Sequence, residues 1–128
     1  MSQEIKVLVL DDEPVVCERL QDYLEKKGMT VEAYTESQRA LDRLNEKAFD
    51  VIVTDMKMEG PTGMDVLLAV KRGSYNSEVI IITGYGSSED LREAEAVGVF
   101  EYIGKPFKMS DMYNLVKKAA RRAQKRSK

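Results

Sequence analysis

Two hydrophobic periods alternate along the chain. Residues 5–10 (Ile-Lys-Val-Leu-Val-Leu) form a nearly continuous apolar run, and 51–54 (Val-Ile-Val-Thr) and 79–83 (Val-Ile-Ile-Ile-Thr) repeat the type. Short β-branched runs without strict alternation predict strands buried on both faces. Weaker strands fit at 30–34 and 100–103, the second amphipathic and suited to a sheet edge. Between the runs the spacing becomes helical. Val16, Leu20, Tyr23 and Leu24 fall at i, i+4, i+7 and i+8, with Pro14 in the first turn and Gly28 as the stop. Ser37, Ala40, Leu41, Leu44 and Ala48 mark a second stripe, and Met112, Leu115, Val116, Ala119 and Ala123 a fifth. Met64, Leu67 and Leu68 mark a third, shorter helix and Leu91, Ala94 and Val97 a fourth, with Gly73 and Gly98 near their ends.

Five consecutive strand–helix units predict an α/β fold: a five-stranded parallel sheet with right-handed crossovers and helices on both faces. The compact arrangement is the flavodoxin-like order 2-1-3-4-5. A length of 128 residues suits one domain, expected over residues 4–120. Apolar content of 43% with 33% charge fits a packed globule rather than a disordered chain. The longest apolar run is the five residues 66–70, far below the roughly 20 that span a bilayer. The early Asp11 and Asp12 argue against a signal peptide. These features and a single cysteine fit a cytoplasmic setting.

The net charge of −2 conceals a division. Seven basic residues and no acidic one lie in 117–128, which leaves 13 basic and 22 acidic residues, a net of −9, in 1–116. The basic residues 121–128 read as the charged end of a last helix or the start of a linker. A short basic run without aromatics is a poor signal for nucleic-acid binding, and no such contact is expected.

Histidine is absent. That excludes Ser-His-Asp and Cys-His catalysis, histidine-ligated metals and a phosphohistidine on this chain. Chemistry therefore falls to the strand ends, where open α/β sheets place their functional crevice. Strand 1 ends in Asp11-Asp12-Glu13, strand 3 in Asp55, strand 4 in Thr83-Gly84, and strand 5 runs into Lys105-Pro106. Each has an ordinary explanation: Asp12 as a helix cap, Asp55 as a turn residue, Thr83 as a strand end, Lys105 as part of a loop. Their recurrence at the same end of different strands is what makes a site. Two carboxylates 4 Å apart repel by about 4 kcal/mol at an effective dielectric near 20. An all-oxygen cluster selects a hard divalent cation, Mg²⁺. A metal on Asp11 and Asp12, with Asp55 between it and Lys105, is a phosphoryl-transfer arrangement. Asp55 would be the nucleophile, Lys105 would neutralise charge on the phosphoryl oxygens, and Thr83 would donate a hydrogen bond.

The segments 7–14 (Val-Leu-Val-Leu-Asp-Asp-Glu-Pro), 50–58 (Asp-Val-Ile-Val-Thr-Asp-Met-Lys-Met), 80–86 (Ile-Ile-Ile-Thr-Gly-Tyr-Gly) and 101–107 (Glu-Tyr-Ile-Gly-Lys-Pro-Phe) resemble the bacterial response-regulator receiver domain across nearly the whole chain. The resemblance implies Asp55 as phosphoacceptor, loaded from a phosphohistidine on a histidine kinase or histidine phosphotransfer protein. It implies Asp11, Asp12, Asp55 and the backbone carbonyl of Lys57 as Mg²⁺ ligands. It implies Lys105, before a cis Pro106, as the phosphate-contacting lysine. Thr83 and Tyr102 become the switch pair, with the readout on the surface of helix 4, strand 5 and helix 5, a surface that also allows a homodimer. Lys57 and Tyr85 would tune the lifetime of the phosphate. Such a protein is a phosphoacceptor rather than a turnover enzyme, acting on a downstream partner or fused output domain. Segments 82–87 and 102–107 resemble NtrC-like regulators in particular.

Other readings lead elsewhere. A flavodoxin-like ligand-binding protein would want a Ser/Thr/Gly-rich phosphate loop where this chain has Asp11-Asp12-Glu13. An Asp-nucleophile phosphatase would want Asp-x-Asp there. A receiver-like interaction module insensitive to phosphorylation would look the same in sequence. Cys17 reads as a small buried hydrophobe, and Pro61 and Gly63 as loop-shaping residues without separate chemistry.

Overall fold

A computed structural model describes residues 4–73, 76–84 and 88–126, except for the side chains of Ser88 and Arg126. The elements alternate along the chain: β1 (Lys6–Leu10), α1 (Pro14–Lys26), β2 (Thr30–Tyr34), α2 (Ser37–Glu46), β3 (Val51–Asp55), α3 (Gly63–Arg72), β4 (Glu78–Thr83), α4 (Ser88–Val97), β5 (Glu101–Gly104) and α5 (Met109–Arg126). The strands form one parallel sheet in the order β2-β1-β3-β4-β5. The expected topology is therefore the observed one.

Strand alternation divides the core into two layers. Val7, Val9, Val51, Val53, Ile80 and Ile82 face α1 and α5, where they pack with Leu20, Leu24, Met112, Val116 and Ala120. Leu8, Leu10, Ile52, Val79 and Ile81 face the other way, against Ala40, Leu44, Val66, Leu67, Val70 and Ala94 of α2, α3 and α4. Strands apolar on both faces have no solvated side, which explains the continuous runs. Each fully buried Leu or Ile contributes about 1.5–3 kcal/mol. Among the described residues no helix is long and apolar enough to cross a membrane.

Boundaries differ from the sequence pattern in two places. Ala48 lies beyond α2 and is exposed, while the neighbouring Phe49 is buried in its stead. β5 begins at Glu101 rather than Phe100 and extends to Gly104, because Lys105 N–H donates to the Thr83 carbonyl and carries the pairing with β4 onward. The fifth helical stripe is observed as α5, which continues through Arg126 with Ala119, Ala120 and Ala123 buried. Arg122 Nε lies 3.3 Å from Glu78 Oε2 at the start of β4. These small residues let the last turns of α5 lie close to the strands. The basic charges at Arg121 and Lys125 are on its exposed side.

Two local devices fix the loop after β1. Asp11 N–H donates to the Tyr34 carbonyl at 3.1 Å, extending the β1–β2 ladder by one residue. The Cys17 thiol, 5% exposed, donates to the carbonyls of Asp11 and Tyr34 at 3.3 and 3.4 Å. Burial pushes this thiol up to about 11, so it stays protonated and acts as a donor. At the outer edge, Glu32 accepts two bonds from Arg43 at 2.8 and 3.0 Å, one from Lys47 at 3.0 Å and one from the Tyr34 hydroxyl at 2.7 Å. The Arg43 guanidinium, ahead of Tyr34 and Lys47, holds the Glu32 carboxyl down at about 2. β2 is thereby tied to α2.

Candidate functional site

Parallel strands bring their carboxyl ends to one edge of the sheet, and each site residue sits at or just after such an end. Asp11 and Asp12 follow β1, Asp55 closes β3, Thr83 closes β4 and Lys105 follows β5. One carboxylate oxygen from each of Asp11, Asp12 and Asp55 lies within 4.8 Å of the other two. Asp11 is fully buried, Asp55 is 8% exposed and Asp12 faces solvent. Asp12 and Asp55 line a cleft of about 790 Å³ together with Glu13, Lys57, Thr83 and Lys105. The apolar rim of this cleft includes Val15, 56% exposed on the first turn of α1, and Phe107.

Lys105 supplies the positive charge. Its Nζ lies 3.1 Å from Asp11 Oδ2, 3.4 Å from Asp55 Oδ2 and 2.8 Å from Glu13 Oε1. The Lys105–Pro106 peptide is cis, as the resemblance implied. Burial disfavours the ammonium, but the Glu13 and Asp11 carboxylates, then Asp55, outweigh it and push Lys105 above its ordinary value. Burial raises Asp11, against the opposing pull of the Glu13 N–H and Lys105. Burial likewise raises Asp55, against the pull of Lys105, and the Asp12 charge adds to the rise. One lysine leaves this group of carboxylates with excess negative charge.

The donor set fits a hard divalent cation. All the converging atoms are oxygens, and Mg²⁺ takes one or two carboxylates plus water. Asp11 Oδ2 is buried, and its contact with Lys105 lacks hydrogen-bond alignment, so it has no hydrogen-bond partner. A buried carboxylate oxygen in that position has unused capacity for a cation.

The other sequence-derived positions are also located. Thr83 is 9% exposed and pairs with Gly104 across β4 and β5. Lys57 is exposed at the cleft wall. Tyr102 is not among the residues that line the cleft: it is partly buried against the core layer under α2, α3 and α4, and its hydroxyl donates to Glu95 Oε1 on α4 at 3.2 Å. Tyr85 lies outside the described residues. The sequence does not single out two further participants. Glu13 was visible only as the third acid of a run. Gly63 opens α3 directly against β3: its N–H donates to the Met56 carbonyl at 2.9 Å, and a Cβ there would stand 2.4 Å from the Asp55 carbonyl oxygen. Thr62 and Asp65 form a capping box that fixes this turn.

Comparison with known proteins agrees with this geometry. Residues 7–117 match the sequence profile of the "Response regulator receiver domain". Sporulation initiation phosphotransferase F of Bacillus subtilis is 29% identical over 113 residues, covering 88% of this chain and 91% of that protein. The chain spans 24% to 60% of the length of other curated relatives, which are longer regulators. A receiver domain protein from Clostridium thermocellum superposes with a TM-score of 0.87 at 34% identity, covering 94% of this chain and 97% of that one. The beryllofluoride-activated NtrC4 receiver domain dimer superposes with a TM-score of 0.85 at 31% identity, covering 92% and 98%. The chain belongs to the response-regulator receiver domain family, the phosphorylation-controlled signalling switch of two-component systems.

Proposed function

We propose that Asp55 accepts the phosphoryl group and that Thr83 and Tyr102 relay its arrival to the α4-β5-α5 surface. The observation that carries this reading is the convergence of three carboxylates within 4.8 Å, with the Lys105 ammonium 3.4 Å from Asp55. An Asp55 carboxylate oxygen attacks phosphorus and forms the new O–P bond. The P–N bond of a partner's phosphohistidine breaks, and its electron pair and a proton go to the leaving imidazole. The carboxylate has no proton to lose, so no base is needed, in keeping with a chain that has no histidine. Lys105 neutralises one phosphoryl oxygen, and the Thr83 hydroxyl donates to another. Mg²⁺, held by Asp11, Asp12, Asp55 and the backbone carbonyl of Lys57, would supply further neutralisation of the spreading charge.

The donor is a histidine kinase, a histidine phosphotransfer protein or a small phosphodonor such as acetyl phosphate, met in the cytoplasm. The chain takes up one phosphate rather than turning over a substrate. Movement of Thr83 toward the phosphate opens space for the Tyr102 ring and biases a pre-existing two-state element. The output is a downstream partner, a fused domain or a second copy. For a second copy, the exposed Glu93, Glu95 and Glu101 on α4 and β5 complement the exposed Lys118 and Arg122 on α5.

Incubation with acetyl phosphate and Mg²⁺ tests the reading. The expected result is one hydroxylamine-labile phosphate per chain, lost without Mg²⁺ and in Asp55→Asn. Equal labelling of Asp55→Asn and wild type would sink the assignment. Labelling that leaves the backbone NMR spectrum unchanged would point instead to an interaction module insensitive to phosphorylation.

A further inference from the structure

The shortest side-chain contact among the described residues of the site belongs to a residue that the proposed chemistry does not use. An ammonium has three N–H donors. Lys105 donates to Glu13 at 2.8 Å and to Asp55 at 3.4 Å, while Asp11 Oδ2 lies 3.1 Å away as an ion pair, and Glu13 is nearest. Glu13 is the N-cap residue of α1, with extended backbone, yet its side chain makes no cap bond. Its N–H is occupied with Asp11 Oδ1 at 2.9 Å, and its carboxylate reaches across 92 residues of sequence to the lysine. The three partners differ in what leaving would cost. The side chains of Asp11 and Asp55 are 0% and 11% exposed, so withdrawing Lys105 from either strands a buried charge. The Glu13 side chain is 62% exposed and returns to water freely.

We propose that Glu13 is a displaceable stand-in for the phosphoryl group, holding the outward-facing donor of Lys105 until an anion on Asp55 takes it. The inference rests on Asp55 as the phosphoacceptor and adds a positioning residue that acts through Lys105. Glu13 keeps the ammonium at the mouth of the cleft, and the arriving phosphoryl oxygen must displace it. Loading therefore competes with an intramolecular ion pair, and removing the competitor tightens binding of any phosphoryl-like anion.

The test uses the full chain with Mg²⁺ and titrates beryllofluoride, a phosphoryl-group mimic, while following backbone amide NMR signals. Wild type is compared with Glu13→Gln, Glu13→Asp and Glu18→Gln. Glu13→Asp keeps the charge but shortens the reach by roughly 1.5 Å. It also favours the N-cap bond that Glu13 does not make. Glu13→Gln and Glu13→Asp are both expected to bind beryllofluoride about two- to fivefold more tightly, the range of an exposed ion pair. Glu18→Gln, an equal charge change elsewhere on α1, should stay near wild type. Tighter binding in Glu13→Gln with wild-type affinity in Glu13→Asp would reduce the effect to bulk charge and overturn the proposal. Unchanged or weaker binding in Glu13→Gln would overturn it as well. Failure of wild type itself to bind would instead remove the phosphoacceptor reading on which it stands.

Discussion

Gly63 lies so close to Asp55 that a single added carbon would stand 2.4 Å from the Asp55 carbonyl oxygen and 2.9 Å from Met56 Cα. Both obstructing atoms belong to the backbone, so no side chain can turn aside. Relief requires α3 to separate from the end of β3, which carries the Asp55 side chain with it. Gly63→Ala is therefore expected to lose roughly 1–3 kcal/mol of stability, as overpacking commonly does. It should also lose Mg²⁺-dependent labelling by acetyl phosphate even where the chain remains folded. Urea midpoints paired with labelling rates measure the two effects, and wild-type values for both would contradict the contact.

The crowded carboxylates give a pH dependence with a definite sign. Burial raises Asp11 and Asp55 above 3.8 in the folded chain. The contribution of such groups to stability is complete below the ordinary value and is lost as pH rises through the raised one. Without metal, Asp55→Asn should therefore be more stable than wild type at pH 7 and melt at a higher temperature. The gap should shrink toward pH 4. Millimolar Mg²⁺ should close it at pH 7 by stabilising wild type alone. Thermal melts at two pH values, with and without the ion, decide this; a gap indifferent to both would refute it.

The Tyr102 hydroxyl donates to Glu95 on α4, a bond that the proposed inward turn of the ring would break. A net hydrogen bond is worth about 0.5–1.5 kcal/mol. Glu95→Ala should shift the ring toward its inward position by roughly two- to tenfold with no phosphate present. Aromatic NMR of the Tyr102 ring reports the shift directly. Ring signals identical to wild type would mean that Glu95 has no part in the balance.

Most of this architecture was legible in the sequence because its causes are local. Strands buried on both sides need unbroken apolar runs, and parallel pairing then puts Asp11, Asp55, Thr83 and Lys105 at a common edge. Family membership selects the signalling switch over the flavodoxin-like ligand binder. What escaped the sequence depends on contacts between distant elements. Glu13 meets Lys105 across 92 positions, and nothing in an Asp-Asp-Glu run says which acid turns toward the lysine. Gly63 looks like any loop glycine until α3 is set against β3. The fifth stripe, which the pattern carries to Ala123, is helical through Arg126, so of the two readings of the basic residues the described part of 121–128 is the charged end of the last helix.

The packing of α5 has a practical consequence. Arg122 reaches Glu78 at the first residue of β4, and the amide of Lys6 at the first residue of β1 donates to Asp50 just before β3. Both observations place the start of β1 and the last turns of α5 at the pole opposite the carboxylates. A fluorescent protein, affinity handle or surface tether joined at either end would leave the cleft open to a donor protein. A sensor made in this way would report on loading without blocking it.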